Sequence, residues 1–408
     1  MKKSQKFWLA LSLLFTLVAM GFHYYLTQKY FALKFSTAEG ISACNLTSFL
    51  NCDAVSASSY ASFLGRPLAL WGLVTNLLFF FVQLAVLWNW FSNSRRGFLL
   101  TFLFATVLGT ASLIMGIISL TMLSQLCLYC TATYALSWIS LGIWTGLTQP
   151  KISEIFSFFR GIPTQKSTLG IAVAIPFLTW IFNTFFLDLH GANNVNFERI
   201  VQERLAAWHA APKNVFDLNT GLKIGTPNSR FTIVEFADFR CPHCKTAYPS
   251  LHAFAQAHPE TQLVFKPYPL DGSCNSEPNF KGEGDGISCR LALGSLCADK
   301  IQKKASDQNQ DHSQGWAFHH FLFDQQESIR NIRTTSKLDE KMCSSNLVDC
   351  QQLTNCMNSN DTMNELKGMI QEAIRANLTG TPTIFVNGQL LGGGQLLPVL
   401  EGAYLQAK

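Results

Sequence analysis

Charged residues are scarce in this sequence. Only 14% of its 408 residues are Asp, Glu, Lys or Arg, and 48% are hydrophobic, a composition that is apolar for a soluble protein. The formal net charge is only +5, and Lys and Arg cluster beside the apolar segments. Insertion into a membrane predicts this distribution, so the charge requires no nucleic-acid partner. The composition predicts two or three domains, some of them in contact with a lipid bilayer.

A signal-peptide cleavage site is also missing. The start, Met1-Lys2-Lys3 followed by the apolar run 7–26, has the charge pattern of a signal peptide, but no Ala-x-Ala site follows it. We therefore predict a retained first transmembrane helix. Further spans are predicted at about residues 68–88, 98–122, 127–147 and 169–187. The sequence contains neither an internal repeat nor a low-complexity tract, which argues against a repeat architecture.

The uncharged run 97–148 is too long for one membrane span of about 20 residues. The chain must turn near the middle of the run, and Ser124-Gln125 is the predicted turn. This turn places Cys127-Leu128-Tyr129-Cys130 at the end of a transmembrane helix. A dithiol there can meet water-borne partners on one side and a lipid-soluble molecule on the other. The alternative is that both cysteines are small buried hydrophobes.

Basic residues in the loops predict the orientation. If the N-terminus is cytoplasmic, five spans give that side eight basic residues, Lys2, Lys3, Lys6, Arg95, Arg96, Lys151, Arg160 and Lys166. The opposite side then has three, Lys29, Lys34 and Arg66. This bias predicts a cytoplasmic N-terminus and a chain that is extracytoplasmic from about Asp188 onward. Twelve cysteines favour an oxidising compartment, so we expect a bacterial inner-membrane protein with a periplasmic C-terminal domain.

The polar C-terminal part has the element order of a thioredoxin-like α/β domain with a helical insertion. A predicted buried strand at 231–236 leads into Cys241-Pro242-His243-Cys244 and an amphipathic helix at 247–257. A second strand is predicted at 262–266, and Thr381-Pro382 begins a late strand, turn and strand. No second C-x-x-C or paired histidine follows at the spacing of a zinc site, so we predict no metal.

The membrane portion resembles the vitamin K epoxide reductase family over about residues 7–147. The resemblance rests on Cys44 and Cys52, the downstream Asp53, Ser58, Gly65-Arg66-Pro67 and Trp71-Gly72, and the C-x-x-C at 127–130. It implies a four-helix membrane domain at 1–150. The apolar run 169–187 and the basic residues before it predict a cytoplasmic loop and a fifth transmembrane helix at 151–189.

The resemblance also implies a cysteine relay. Cys44 would receive electrons from a partner, Cys52 would bridge transiently to Cys127, and Cys130 would face a membrane quinone, either ubiquinone or menaquinone. Ser58 and Trp71 would lie near the quinone. Three alternatives stay open: Cys44 and Cys52 form a structural disulfide, Ser58 caps a helix, and Trp71 is an interfacial anchor.

The soluble domain, at about 221–408 after a linker at 190–220, resembles the DsbA type of the thioredoxin superfamily. The resemblance implies that Cys241 attacks and Cys244 resolves, with Pro242 and His243 between them. A helix N-terminus stabilises the Cys241 thiolate, and His243 can add to this effect. Thr381-Pro382 would form the cis-proline loop. Glu235 matches a buried acid that could take a proton from Cys244, or it is a solvent-exposed edge residue.

The other six cysteines lie in the predicted helical insertion. They are Cys274, Cys289, Cys297, Cys343, Cys350 and Cys356. We predict structural disulfides, and the sequence leaves all fifteen pairings open.

Together the two resemblances predict a quinone-dependent thiol oxidase. Electrons would pass from exported proteins with reduced cysteines to Cys241/Cys244, then to Cys44/Cys52, then to Cys127/Cys130, and finally to a membrane quinone. Three other functions stay open. They are a reductase or isomerase with reverse electron flow, reduction of vitamin K epoxide by the same four membrane cysteines, and a membrane-anchored thiol-binding module in which the cysteines are structural.

Overall fold

The computed structural model describes residues 3–37, 40–46, 49–123, 125–161, 166–190, 197–278, 280, 284–305 and 313–407. The chain forms two compact units. The first comprises Met1–Ala32 and Ser42–Val195, and the second comprises Leu33–Ile41 and Asn196–Lys408.

The first unit is helical. Its described helices are α1 (Lys3–Lys34), whose last residues belong to the second unit, α2 (Cys52–Ala57), α3 (Leu68–Leu87), α4 (Ser94–Ile118), α5 (Leu128–Thr148), α6 (Ile152–Gly161) and α7 (Lys166–Leu189). A π-helical turn at Ser119–Leu123 extends α4, and two short antiparallel strands, β1 (Ser62–Phe63) and β2 (Arg66–Pro67), precede α3. The five spans predicted from sequence correspond to α1, α3, α4, α5 and α7. In the predicted turn, Ser124 lies outside the described residues.

Three described helices are long and apolar enough to cross a membrane: Lys3–Lys34, Leu68–Leu87 and Ser94–Leu123. A shorter apolar helix lies at Val173–Leu189, and α5, with 21 residues, has the length of a span. The first unit is therefore a membrane domain, and a total of five spans stays a prediction.

Packing and a few buried hydrogen bonds hold this bundle together. Leu9, Phe79, Phe104 and Trp144 belong to one buried cluster. The Trp144 indole Nε1 donates to Ser12 Oγ at 3.0 Å, which links α5 to α1. Because lipid gives helices no hydrophobic reason to associate, such packing and interhelical hydrogen bonds stabilise a membrane bundle.

The second unit is an α/β domain. Its described helices are α8 (Phe197–Ala210), α9 (Pro242–Ala257), α10 (Ile287–Ala305), α11 (Ser313–Asp324), α12 (Gln326–Arg330), α13 (Thr335–Cys343), α14 (Cys350–Met357), α15 (Asn360–Arg375) and α16 (Leu397–Ala407). Its described strands are β3 (Leu222–Gly225), β4 (Thr232–Ala237), β5 (Gln262–Pro267), β6 (Thr383–Val386) and β7 (Gln389–Leu390).

The strands form one mixed sheet in the order β3-β5-β4-β6-β7. Only β4 and β5 pair in parallel, and every residue of these two strands is buried, as their apolar sequences require. Helices α10 to α15 lie in the chain between β5 and β6. The predicted thioredoxin-like fold with a helical insertion is confirmed.

Part of the predicted linker at 190–220 is structured. Helix α8 packs against α16, and the buried Trp208 donates from Nε1 to the carbonyl oxygen of Val386 at 3.1 Å. Residues 197–210 therefore belong to the second unit, because their apolar face completes its core. Residues 191–196 of the predicted linker lie outside the described residues.

Three disulfides cross-link the insertion and its flanks. They join Cys274 to Cys289, Cys297 to Cys356, and Cys343 to Cys350. Two of these cysteines, Cys289 and Cys297, are buried on α10, which is thereby connected to two other segments of the insertion. Cross-links of this kind stabilise a fold chiefly by restricting the unfolded chain.

Candidate active site

The membrane dithiol lies at the start of α5. Cys127 is the N-cap residue of this helix, and its Sγ accepts a hydrogen bond from the Cys130 backbone N–H at 3.2 Å. Cys127 is buried and Cys130 is half-buried, and neither forms a disulfide in this structure. The C-x-x-C spacing thus brings the two sulfurs to the first turn of one helix.

The second cysteine pair of the membrane domain is joined. Cys44 and Cys52 form a disulfide with their Cα atoms 5.8 Å apart. The adjacent buried Asp53 carboxylate accepts hydrogen bonds from the Ser42 N–H at 2.8 Å, from the Ser42 hydroxyl, and from Asn45 Nδ2 at 2.9 Å. Asn45 in turn accepts from the Cys52 N–H at 2.8 Å. This network fixes the loop that carries the disulfide.

Backbone pairing joins the loop to the segment that precedes α5. The Asn51 N–H donates to the Leu126 carbonyl at 2.8 Å, and the Leu126 N–H donates to the Phe49 carbonyl at 2.7 Å. Cys52 and Cys127 are the next residues along each segment. Both belong to one buried cluster that also contains Cys44 and Leu26. The fold therefore brings the two cysteine pairs of the membrane domain together.

Cys130 lines a cavity of about 240 Å³. The walls are mostly apolar and include Ser58 and Trp71, the two residues predicted to lie near a quinone. Ser58 is also the C-cap residue of α2, with its hydroxyl donating to the Val55 carbonyl at 2.8 Å. The Trp71 Nε1 donates to the Phe63 carbonyl at 3.1 Å, which fixes the indole at the cavity wall.

The soluble dithiol lies at the start of α9. Cys241 is the N-cap residue, Pro242 occupies the first turn, His243 is exposed and Cys244 is fully buried. The Sγ of Cys241 lies 3.4 Å from the carbonyl oxygen of Thr381, and the Thr381–Pro382 peptide bond is cis. Residues 140 positions apart in the sequence thus meet at one sulfur.

The two thiols of this pair differ in acidity. A hydrogen bond with the Cys244 side chain lowers the pKa of Cys241 to about 5, and the Thr381 side chain and the backbone N–H groups of Cys244 and His243 act in the same direction. Burial, followed by the interaction with Cys241, raises the pKa of Cys244 well above its usual value. This difference in acidity favours Cys241 as the thiolate, and Cys244 as its protonated partner, at neutral pH.

Glu235 lies in the central strand β4 and is 1% exposed, so it is not an edge residue in solvent. Burial, with a smaller contribution from the Cys241 thiolate, raises its pKa to about 8. Among the described residues, its Oε1 has no hydrogen-bond partner. A carboxyl group with this pKa is mostly protonated at neutral pH and can exchange a proton near the dithiol.

Known protein families match both units of the chain. The model of the "Vitamin K epoxide reductase family" matches residues 10–145, and that of the "DSBA-like thioredoxin domain" matches residues 232–405. One polypeptide carries both domains. We call these two regions the VKOR region and the DsbA-like domain. The protein is a disulfide oxidoreductase, because the models of both families match it.

Two curated relatives are named "Probable disulfide bond formation protein D". The protein from Bacillus cereus is 24% identical over 185 residues, which are 43% of this chain and 74% of the relative. The protein from Bacillus anthracis is 22% identical over 182 residues, with the same coverage of 43% and 74%.

Solved structures similar to this chain include oxidised BdbD from Bacillus subtilis, with 19% identity, a TM-score of 0.37, and coverage of 48% of this chain and 98% of that chain. Wolbachia pipientis alpha-DsbA1 has 18% identity and a TM-score of 0.36, with coverage of 47% and 95%. The catalytic domain of Proteus mirabilis ScsC has 21% identity and a TM-score of 0.33, with coverage of 50% and 98%.

Among the described residues, the structure contains no group of three or more His, Cys, Asp or Glu side chains that could hold a metal ion.

Sequence reasoning missed two residues that contact these sites. In the DsbA-like domain, the buried Gln326 amide donates to the carbonyl oxygens of Phe239 at 2.8 Å and Cys241 at 2.9 Å, so the helical insertion holds the active-site loop. No local signal marks Gln326, because its partners are 85 and 87 positions away. In the VKOR region, Tyr134 lines the cavity beside Cys130. Its spacing of four residues from Cys130 on a helix could have revealed it.

The low pKa of Cys241 predicts its reactivity. In the reduced protein, we expect the alkylation rate of Cys241 to follow thiolate formation, with a midpoint near pH 5. Replacing Cys244 with alanine removes the largest stabilising contact, so the midpoint should move to higher pH. Tandem mass spectrometry of the peptide 241–245 measures this rate, because fragment masses distinguish alkylation of Cys241 from alkylation of Cys244. A midpoint near pH 8.5, the pKa of an ordinary cysteine, would contradict the lowered pKa of Cys241.

Proposed function

We propose that this protein is a quinone-dependent thiol oxidase that introduces disulfide bonds into exported proteins. One observation carries the proposal: Cys130 lines a largely apolar cavity while its partner Cys127 shares a buried cluster with Cys44 and Cys52. A dithiol in that position can exchange electrons with a disulfide on one side and with a lipid-soluble acceptor on the other.

The relay begins in the DsbA-like domain. A substrate thiolate attacks the oxidised Cys241–Cys244 pair, and a second substrate thiol completes the exchange, so the substrate gains a disulfide and the pair gains two electrons and two protons. The low pKa of Cys241 supports this direction, since a stabilised thiolate favours the reduced pair and makes its disulfide oxidising. The same property disfavours reverse flow in a reductase or isomerase.

The VKOR region then receives the electrons. The Cys241 thiolate attacks Cys44, and Cys244 resolves the mixed disulfide, which leaves Cys44 and Cys52 reduced. Cys52 attacks Cys127 of the oxidised Cys127–Cys130 pair, and Cys44 resolves the second mixed disulfide. Each exchange breaks one S–S bond and forms another, so electrons and protons balance at every step.

The cavity fits a quinone head group. Its walls are mostly apolar, they include the aromatic Trp71 and Tyr134, and they contain the Cys130 thiol. A bound quinone, ubiquinone or menaquinone, would accept two electrons and two protons and become a quinol. The residues of the cavity wall would hold the quinone against Cys130 in apolar surroundings. The Cys44–Cys52 loop would supply electrons to the Cys127–Cys130 dithiol from its other side.

We further propose that the protein lies in a bacterial inner membrane with a cytoplasmic N-terminus and a periplasmic DsbA-like domain. Eight basic residues on one side of the predicted spans against three on the other support this orientation. Attachment of the domain to the VKOR region raises the effective concentration of Cys241 at Cys44 into the range of about 1 mM.

The test is quinone reduction by the full-length protein in lipid nanodiscs, without oxygen, with a reduced two-cysteine peptide as donor. Absorbance reports the quinone, and thiol titration reports the peptide. We expect one quinone reduced per peptide disulfide formed, and loss of turnover in Cys130→Ala and Cys241→Ala. The double variant Cys343→Ser/Cys350→Ser, which removes a disulfide of the insertion, should retain turnover.

Other results identify the rival functions. If the quinone stays oxidised while the peptide still exchanges with Cys241 and Cys244, the DsbA-like domain is a thiol-binding module on a membrane anchor. If added quinol reduces a peptide disulfide faster than the forward reaction proceeds, the flow is reversed. Either result would exclude the proposed oxidase.

A further inference from the structure

Four hydroxyl groups in the cavity wall, those of Ser58, Thr75, Thr133 and Ser137, already have a hydrogen-bond acceptor. Thr75 donates to the Trp71 carbonyl at 2.7 Å, Thr133 to the Cys130 carbonyl at 2.7 Å, and Ser137 to the Thr133 carbonyl at 2.8 Å. Each bond stays within one helix, a pattern that satisfies a hydroxyl group in an apolar setting. With the Ser58 hydroxyl also bonded to a carbonyl, these side chains offer a bound molecule no free donor.

His23 differs from them. It lies on α1 and lines the same cavity, and its Nδ1 is buried without a hydrogen-bond partner among the residues that the structure describes. Buried polar atoms almost always have a partner, so an unpartnered nitrogen on a ring that lines a cavity requires an explanation.

Gly72 makes room for this ring. A Cβ atom built on Gly72 would lie 2.3 Å from Cε1, 2.6 Å from Nδ1 and 2.7 Å from Nε2 of His23. Distances this short leave no space for a side chain, so glycine at position 72 allows the face of the imidazole ring to pack against α3 beside Trp71. His23, Trp71 and Gly72 all line the cavity.

We propose that His23 hydrogen-bonds a ring oxygen of the quinone and so positions it against Cys130, an inference that rests on the proposed quinone reduction. A neutral imidazole has one donor and one acceptor nitrogen. It can donate to a quinone carbonyl and, as the other tautomer, accept from a quinol hydroxyl. In a mostly apolar cavity a single such group is sufficient to select one orientation of the head group.

Two variants test the hydrogen bond. His23→Phe keeps a planar ring without the nitrogens, and His23→Asn keeps a donor and an acceptor near the position of Nδ1. Tyr24→Phe is the control, because Tyr24 is the adjacent residue on α1, is 51% exposed and does not line the cavity. The full-length protein in nanodiscs is assayed with a short-chain quinone, and single-turnover thiol exchange at Cys241 verifies that each variant is folded.

We expect the KM for the quinone to rise about tenfold in His23→Phe, to recover in part in His23→Asn, and to stay unchanged in Tyr24→Phe. The second readout is the infrared carbonyl band of a ¹³C-labelled quinone bound to Cys130→Ala protein, in which no turnover occurs. A hydrogen bond lowers the frequency of this band. His23→Phe should abolish the lowering on one of the two carbonyls, and His23→Asn should restore it.

Two results overturn this role of His23, and they differ from failure of the proposed function. If the otherwise unmodified protein reduces the quinone and His23→Phe has the same KM and the same carbonyl band, His23 does not contact the quinone. If His23→Phe and His23→Asn both raise the KM but neither changes the carbonyl band, His23 supports the cavity wall without a hydrogen bond to the quinone. If the unmodified protein neither binds nor reduces the quinone, the proposed function fails, and the role of His23 fails with it.

Discussion

Replacing Cys44 with alanine is expected to trap a disulfide between Cys52 and Cys127. In the proposed relay, Cys52 attacks the oxidised Cys127–Cys130 pair and Cys44 then releases the mixed disulfide. Without Cys44 the release cannot occur, so the intermediate should accumulate and turnover should stop. The paired backbone of Asn51 and Leu126 and the shared buried cluster hold the two residues in position for this reaction.

Non-reducing digestion and mass spectrometry of the Cys44→Ala protein measure the trapped bond as a cross-linked peptide. Cys52→Ala is the matched control, since it removes the attacking sulfur and should yield no cross-link to Cys127. A cross-link from Cys52 to Cys130 instead would reverse the order of the membrane dithiol. If Cys44→Ala turns over quinone at the normal rate, the loop disulfide is structural and takes no part in the relay.

The stability of the DsbA-like domain is expected to fall steeply in acid because of a cluster of three histidines, of which His252 and His319 are buried and His320 is half-buried. His252 on α9 lies against His320 on α11 with ring centroids 4.5 Å apart, and the neighbouring His319 is 5.4 Å from His320. Aromatic rings surround the group, and Trp316 lies 4.9 Å from His319. Among the described residues, neither nitrogen of His319 has a hydrogen-bond partner.

Burial lowers the pKa of all three rings. The pKa of His252 falls to about 4, and those of His319 and His320 fall well below the usual value, with the neighbouring histidines adding to the effect. In the unfolded chain each pKa returns to about 6.5. Between pH 6.5 and about 4 the unfolded chain therefore binds protons that the folded domain does not. Each ring lowers the free energy of unfolding by up to about 1.4 kcal/mol per pH unit in this window. Above pH 6.5 this contribution disappears.

The raised pKa of Glu235 acts in the opposite direction, so a comparison of variants is needed to isolate the histidines. In His319→Phe, a similar ring fills the same fully buried site without a titrating group. As the pH falls from 6.5 to 4.5, the variant should lose less stability than the unmodified protein. The difference between their free energies of unfolding should change by about 2 kcal/mol in favour of the variant. Pulse proteolysis of the full-length protein in nanodiscs measures the unfolded fraction of the domain. The exposed His243→Gln is the control, and parallel pH profiles for His319→Phe and the unmodified protein would contradict the prediction.

The sequence by itself determined the fold class and the redox chemistry. Apolar runs predict helices because a span needs about 20 residues without charge, and this signal is local. Cys241-Pro242-His243-Cys244 between a buried strand and an amphipathic helix predicts the thioredoxin-like domain for the same reason. The C-x-x-C spacing brings two sulfurs to one helical turn wherever it occurs, so the identity of both dithiols required no tertiary information.

Only the tertiary structure decided which distant residues meet. It selected one of fifteen pairings for the six cysteines of the insertion, and it placed Glu235 in the centre of the sheet, where the sequence allowed an edge. It also showed that residues 197–210 form part of a core, and it brought His23 to Gly72 and Gln326 to Cys241. The physical reason is the same in each case. These contacts join segments far apart in the chain, and burial and hydrogen bonding of whole elements select them, whereas residue spacing encodes only what lies within one helix, strand or turn.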